Sequence, residues 1–211
     1  MNTVAVITGD IVNSRALGPT DYDNTLDVLN KTLKSLLKTE YDAFDIYRGD
    51  SFQILFQNAS FSFYAALVLR LALKAAQPSV DIRQSIGIGK IDAIRDSVKS
   101  STGDAFTLSG MGLDRLKNTQ LLGVQTANQK FTDRVELVSK FLDVHLLSLT
   151  AIQAQVLLTY LSAEDKSHAV LAALLGKKRS NTTRLLNASH YQLVAEYLDY
   201  VHHWFKMEYS Q

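Results

Sequence analysis

The sequence contains no cysteine, so it can form no disulfide, no thiolate metal site and no cysteine nucleophile. It also has almost no net charge, because 22 lysines and arginines stand against 21 aspartates and glutamates. A chain-wide electrostatic attraction to nucleic acid or to an acidic membrane is therefore excluded, and any such binding must be local. Arg70 and Lys74 interrupt the longest apolar stretch, which is too polar to span a bilayer.

What the sequence does contain is enough apolar material for a substantial core. The chain has 211 residues, of which 46% are hydrophobic, and this length fits one large domain or one domain with a small appendage. No secretory signal is visible after Met1. Such a signal would consist of a basic segment, a long apolar stretch and a small-residue cleavage site. We therefore expect a soluble cytoplasmic protein.

Strand and helix patterns alternate along the N-terminal part of the chain. Period-2 segments predict strands at residues 3–9, on both sides of a turn at 48–51, at 81–90 and at 121–126. Apolar residues at helical spacing predict helices at 21–38, 60–77 and 103–116. The order β-α-β-β-α-β-(α-β) favours an α+β ferredoxin-like domain over residues 1–127, with a four-stranded antiparallel sheet and two helices on one face.

Strand patterns end at about residue 128. An amphipathic stretch predicts a connecting helix over 128–149. Four further helical patterns predict a small all-α domain over 150–211.

Two aspartates are the sharpest candidates for chemistry. Asp10 ends the first strand, and Asp50 lies in the hairpin turn. These strand ends are neighbours in a β-α-β-β order, so the two carboxylates can converge. With the backbone carbonyl of Ile11 they form an all-oxygen set suited to Mg²⁺. The alternative for each aspartate alone is an ordinary capping or turn role.

The loop after Asp10 could hold a polyphosphate. Asn13, Ser14 and Arg15 offer backbone N–H groups, a hydroxyl and a guanidinium. We assign Arg48 and Gly49 of the hairpin turn to the same candidate nucleotide-phosphate site.

These segments resemble those of a known family. Residues 8–14 (TGDIVNS) resemble the metal-binding strand and loop of class III nucleotide cyclases, and residues 48–52 (RGDSF) resemble their second metal-binding segment. Residues 86–89 (IGIG) and 103–106 (GDAF) are similar to the strand and glycine-led helix that complete that domain, so the resemblance covers roughly residues 3–126. The whole arrangement most closely resembles the bacterial SatD family. We expect a nucleotide as ligand, Mg²⁺ as cofactor and a homodimer.

The sequence also departs from the cyclase pattern. Phe44 and Ser100 stand where cyclases carry the Lys and Asp that read the purine. The positions of the Asn and Arg that steady the transition state carry, depending on the register, Thr107 and Met111 or Ser109 and Arg115. Losing one such donor typically removes about 2.7–4 kcal/mol of stabilisation. We therefore assign no catalytic residue, and metal and nucleotide binding is better supported than turnover.

A helix-turn-helix pattern lies in the C-terminal part. Residues 169–188 have a small residue in the first helix, Gly176 at the turn and a polar start to the second helix. The candidate DNA contacts are Lys177, Lys178, Arg179, Ser180, Asn181, Thr182 and Arg184. The alternative is a packing module, because residues 150–211 carry six basic against five acidic side chains.

Three functions follow from these observations. The first is a cytoplasmic regulator that binds a metal-nucleotide through the cyclase-like domain and DNA through the helix-turn-helix. The second is an active nucleotidyl cyclase or phosphotransferase in which Asp10 and Asp50 hold Mg²⁺. The third is a degenerate scaffold that acts in protein assembly.

Overall fold

The computed structural model describes residues 3–95, 97–117 and 119–209. The strands are β1 (Val4–Ile11), β2 (Ala43–Tyr47), β3 (Ser51–Phe56), β4 (Ile82–Gly89) and β5 (Leu122–Thr126). The helices are α1 (Pro19–Leu36), α2 (Phe61–Ala75), α3 (Asp104–Arg115), α4 (Gln129–Ser148), α5 (Ala151–Ser162), α6 (His168–Leu174), α7 (Arg179–Ala188) and α8 (Tyr191–Tyr209).

The strands form one five-stranded sheet in the order β2-β3-β1-β4-β5. The first four strands of that order pair antiparallel, and β5 pairs parallel to β4. The sequence prediction of a mixed α+β fold built on four antiparallel strands is therefore confirmed, with β5 added at one edge.

Side-chain alternation along the strands gives each face of the sheet its own partners. Ile7 of β1 and Ile86 of β4 belong to the main core together with residues of α1 and α2. Val6 of β1 belongs to a second core that contains Ala105 and Phe106 of α3. The two-helix layer predicted from the sequence thus consists of α1 and α2, whereas α3 lies on the opposite face.

Helix α3 packs directly on the backbone of β4. A Cβ at Gly87 would lie 2.2 Å from the carbonyl oxygen of Ala105 and 2.4 Å from the nitrogen of Ser109. Because no side chain fits in that space, glycine at position 87 lets the helix approach this closely.

The C-terminal helices share the main core with the sheet. Phe131 and Val135 of α4 are fully buried in it, and so are Ala154 and Leu157 of α5 and Val194 of α8. The helix predicted to connect two domains is therefore part of the core, and the predicted separate all-α domain is not confirmed.

A smaller cluster joins α5, α6 and α7. It consists of Val156, Leu171, Leu185 and Leu186. Gly176, in the left-handed region at φ 61°, lies in the turn between α6 and α7. Helix α5 therefore contributes to two cores, the main one and this one.

Arg70 of α2 is buried and ties distant segments together. It forms ion pairs with Asp81, just before β4, and with Asp143 of α4. Asp143 also accepts hydrogen bonds from the backbone N–H groups of Leu121 and Leu122 at the start of β5. A buried charge is tolerated only when it is paired and hydrogen-bonded, as it is here.

Within the described residues, no helix has the length and apolar content needed to cross a bilayer.

Candidate functional site

The end of β1 and the β2–β3 turn are joined at Asp50. The N–H of Ile11 donates to the carbonyl oxygen of Asp50 over 3.1 Å. The Ser14 hydroxyl, in a short 3-10 turn after β1, donates to the Asp50 carboxylate. The structure therefore brings together the two segments that the sequence analysis selected.

The backbone at this junction has an unusual conformation. Asn13, Arg48 and Gly49 all have positive φ angles, of 56°, 53° and 90°. A Cβ at Gly49 would also lie 2.6 Å from the Tyr22 hydroxyl. Residues other than glycine rarely adopt positive φ angles. Residues that do so are concentrated at active sites and ligand-binding loops.

Asp10 is held by a residue that the sequence analysis did not select. Arg83 lies directly opposite Asp10 in the pairing of β1 with β4. Its Nη2 donates to Asp10 Oδ2 over 2.7 Å, and its Nε donates to Oδ1 over 3.3 Å. The pKa of Arg83 is raised, chiefly by its hydrogen bond to Asp10. In the sequence, the position of Arg83 between the inward-facing Ile82 and Gln84 shows which face of the sheet it takes but not which residue it contacts.

Tyr47, at the end of β2, lies close enough to Arg48 and Asp10 for both charges to act on its phenol. Burial is the main reason why its pKa is raised, while the nearby charge of Arg48 lowers it and that of Asp10 raises it. The phenol therefore stays protonated at neutral pH and is a hydrogen-bond donor next to the two charged groups.

The oxygen ligands at this site fit Mg²⁺, but several of them already accept hydrogen bonds from the protein. Two carboxylates and the Ile11 carbonyl are hard oxygen ligands of the kind that Mg²⁺ prefers. Both oxygens of Asp10 accept from Arg83, and one oxygen of Asp50 accepts from Ser14. The described part of the chain contains no group of three or more acidic or histidine side chains that could hold a metal. An ion here would share its ligands with a guanidinium.

A shallow cavity of about 300 Å³ lies over the loop after β1. Asn13, Ser14, Arg15 and Ala16 line it. Arg15 is exposed, and so is Arg48 in the neighbouring turn, whereas Ser14 is buried and its hydroxyl is committed to Asp50. The loop therefore presents backbone groups and cations to solvent, and the Ser14 side chain serves to fix Asp50.

Two residues at cyclase-like positions have structural roles. Phe44, which the resemblance aligns with the purine-reading lysine of cyclases, packs against the main core. Ser109 is buried, and its hydroxyl lies 2.8 Å from that of Thr8. The Ser109 hydroxyl is therefore not available to a ligand.

The second candidate surface lies at the start of α7. Lys178, Arg179, Ser180 and Arg184 are exposed there. Lys177 and Asn181 are half-buried, and Asn181 accepts a hydrogen bond from Arg184.

The prediction for Thr182 is wrong. Thr182 is fully buried, and its hydroxyl donates to the carbonyl oxygen of Lys178. The reason is that Thr182 begins the buried stripe of α7, which continues through Leu185 and Leu186. This spacing of three and four residues was readable in the sequence.

Comparisons with known proteins give structural similarity only. A scan against protein-family profiles found no match, and a search of curated proteins found none. Among solved structures, the active GGEEF domain of a diguanylate cyclase from Vibrio cholerae is 17% identical, with 61% of this chain and 85% of that chain covered and a TM-score of 0.44. The guanylyl cyclase Cya2 is 14% identical, with 61% and 76% covered and a TM-score of 0.43. The guanylate cyclase domain of RhGC from Catenaria anguillulae, in complex with GTP, is 17% identical, with 55% and 74% covered and a TM-score of 0.42.

Proposed function

We propose that this protein binds a nucleoside polyphosphate at the junction of the β1–α1 loop and the β2–β3 turn. The observation that carries the proposal is the pair of hydrogen bonds from Ile11 and Ser14 to Asp50. They join the left-handed turn that carries the exposed Arg48 to the loop that carries the exposed Arg15 and lines the shallow cavity. Fixed loops that present N–H groups and guanidinium groups are suited to phosphate.

The charges at the junction favour an anion. Asp10 is neutralised by Arg83, and Asp50 accepts a hydrogen bond from Ser14. Within the described residues, neither Arg15 nor Arg48 forms an ion pair, and both are exposed. Two cations without a protein partner are therefore available to phosphate oxygens.

Mg²⁺ would be held by Asp10, Asp50 and the Ile11 carbonyl, and it would neutralise charge on the phosphates. Arg83 would have to release Asp10 for that to happen. We therefore propose that the metal binds together with the nucleotide, because phosphate oxygens supply ligands and Arg83 can turn to the phosphates.

The test is calorimetric titration and thermal unfolding with ATP, GTP and inorganic triphosphate, each with and without Mg²⁺. A ligand that binds only the folded state raises its stability by RT ln(1 + [L]/Kd), about 2.7 kcal/mol at 100 times Kd. Arg15→Ala with Arg48→Ala should abolish the effect, and Arg179→Ala is the matched control for loss of an exposed arginine. Failure of all three ligands to bind the wild type would overturn the proposal.

The same samples distinguish binding from turnover. Chromatography of the nucleotide after long incubation with Mg²⁺ should return it unchanged. Conversion to a cyclic nucleotide would instead support an active nucleotidyl cyclase, in which Asp10 and Asp50 serve catalysis.

A second candidate function is DNA binding by α6 and α7, which would make the protein a two-part regulator. The observation that favours it is the exposed basic start of α7, at Lys178, Arg179 and Arg184. Each phosphate contact adds about 0.9 to the slope of log affinity against log salt. Replacing Lys177, Lys178 and Arg179 by alanine should therefore flatten the slope by up to roughly three units.

The control for DNA binding is the replacement of Lys31 and Lys34 of α1 by alanine, which should leave the slope unchanged. A wild type that shows no salt-dependent retention of DNA at low ionic strength would remove this function. If nucleotide binding also failed, the scaffold function would remain.

A further inference from the structure

Helix α4 is apolar on two faces, and the structure covers only one of them. Phe131, Val135 and Leu142 are buried in the main core. On the opposite side, Leu137, Phe141 and Val144 follow one another at spacings of four and three residues, and each is more than 60% exposed. Exposed apolar side chains that follow one another along a helix in this way mark an interaction surface when the patch is large.

The exposed stripe continues onto α8. Leu193 is 62% exposed and Tyr200 is 40% exposed, and both line a groove of about 300 Å³ between α4 and α8. Phe141 lines the same groove from the α4 side. We call this continuous surface the α4/α8 face, made of Leu137, Phe141, Val144, Leu147, Leu193 and Tyr200.

The area of the α4/α8 face matches one side of a stable protein interface. Its six residues are between 40 and 69% exposed. At about 200 Å² for a fully exposed large side chain, they present on the order of 700 Å² of apolar surface. The largest patch on a typical monomer is roughly 300–600 Å², and one partner in a standard interface contributes about 800 Å².

We propose that the α4/α8 face is the contact between two copies of this chain related by a two-fold axis. Protruding side chains, Phe141 and Leu193, stand beside an open groove on the same surface, so the surface provides both halves of a self-complementary fit. This proposal is independent of the proposed nucleotide site, none of whose residues it uses.

The charges around the face allow two copies to meet. Lys140 and Glu136 form an ion pair on α4, and Glu196 lies at the groove on α8. The chain as a whole carries a formal charge of only +1. Two copies therefore bring both signs to the rim and little mutual repulsion.

The test is the mass of the full chain in solution, measured by light scattering at several concentrations. The wild type should be a dimer, and Phe141→Glu should be a monomer, because a carboxylate would be buried against the partner. Leu174→Glu is the matched control, since Leu174 is also a large apolar residue in a helix and is 64% exposed, but lies on α6 away from the face. This control should remain dimeric.

A second measurement keeps the result independent of a folding defect. The chain has no cysteine, so Val144→Cys and Leu174→Cys introduce single thiols. A short bismaleimide should cross-link Val144→Cys into dimers at dilute concentration and leave Leu174→Cys monomeric on a denaturing gel.

Three results would overturn the proposal. They are a wild type that is monomeric at every concentration, a Phe141→Glu variant that is folded and still dimeric, and equal cross-linking at the two cysteine positions. A folded Phe141→Glu monomer, as judged by its circular dichroism spectrum, supports the proposal.

Discussion

At the scale of single residues, Asp10 and Arg83 behave as one unit. Arg83 lies opposite Asp10 and holds both of its oxygens, so removing the guanidinium frees a carboxylate for a cation. Both side chains are partly exposed, so the pair contributes only about 0.2–1 kcal/mol to stability.

The first prediction concerns competition between Arg83 and Mg²⁺. Arg83→Gln should tighten Mg²⁺ binding by up to about fivefold, the factor that corresponds to roughly 1 kcal/mol of lost ion pairing. Calorimetric titration of the nucleotide-free protein with Mg²⁺ measures this change, because Arg83 holds Asp10 in that state and keeps metal binding weak. Asp10→Asn should weaken binding, and Arg115→Gln should have no effect. Equal affinities in the wild type and Arg83→Gln would mean that the ion does not use Asp10.

The second prediction concerns Tyr197, a buried phenol whose hydroxyl lies 2.9 Å from that of Ser139. Burial raises its pKa above the ordinary value of about 10, so folding favours the protonated phenol. This stabilisation is present below about pH 10 and is lost as the pH rises, because the unfolded chain then releases the proton first. The difference in unfolding free energy between the wild type and Tyr197→Phe should therefore shrink above about pH 10.

Urea unfolding from pH 7 to pH 11 measures that difference. At pH 7, Tyr197→Phe should cost about 1–3 kcal/mol, because the buried Ser139 hydroxyl loses its partner. Tyr41→Phe is the control for loss of a phenol hydroxyl, since Tyr41 is 64% exposed and its replacement should cost little at pH 7. A difference for Tyr197→Phe that stays constant up to pH 11 would contradict the assignment.

The sequence could locate some of these residues and not others. Asp10 and Asp50 were recognisable because each stands where a strand ends, and the structure places them at adjacent points of the sheet. Arg83 was not, because its partnership depends on the register of two strands whose residues are 73 positions apart. Alternation shows which face a side chain takes but does not fix the register.

At the scale of elements, the close contact between α3 and β4 depends on glycine at position 87 of β4, which has no side chain. Our third prediction is that Gly87→Ala destabilises the fold by about 1–3 kcal/mol or more, because its Cβ would meet the backbone of Ala105 and Ser109. Gly110→Ala, in α3 itself with open space around it, should instead stabilise the fold by about 0.5–1 kcal/mol.

Chemical unfolding of the two alanine variants gives both numbers. Since each adds one methyl group, the comparison isolates the space available to it. Equal effects would show that the helix does not rest on β4 as closely as described.

The period of the apolar residues identified the helices and strands well. Within the described residues, the five strands and eight helices lie within a few residues of their predicted positions. The face taken by α3 could not be predicted, because a helix with one apolar stripe fits either side of a sheet whose residues are apolar on both faces. Val4 and Val6 on one face and Ala5 and Ile7 on the other are such residues.

At the scale of the whole molecule, the shared core couples the sheet to the C-terminal helices. Our fourth prediction is that urea unfolding gives one transition, with equal midpoints for far-ultraviolet circular dichroism and for the fluorescence of Trp204. Trp204 is the chain's single tryptophan and lies in α8 under the guanidinium of Arg134, so it reports on the C-terminal helices.

The variant Leu186→Ala sharpens this test. Leu186 is fully buried in the small cluster of α5, α6 and α7, and its loss should cost about 2–5 kcal/mol. If the sheet and the C-terminal helices unfold together, the midpoints of circular dichroism and of Trp204 fluorescence should fall by the same amount. A fluorescence midpoint that falls while the dichroism of the sheet stays unchanged would show two independently folding domains.

The central position of β1 has a consequence for the order of events during synthesis. Its hydrogen-bonding neighbours are β3 and β4, and β4 begins at Ile82, 71 residues after β1 ends at Ile11. At about 5–20 residues per second, the ribosome needs roughly 4–14 s to make that length of chain. Until β3 is made, a strand that is apolar on both faces lacks both of its partners, and from then until β4 is made it lacks one. The sheet can therefore close only after more than a third of the chain has been translated, and the nascent chain is most exposed to chaperones and to aggregation before that point.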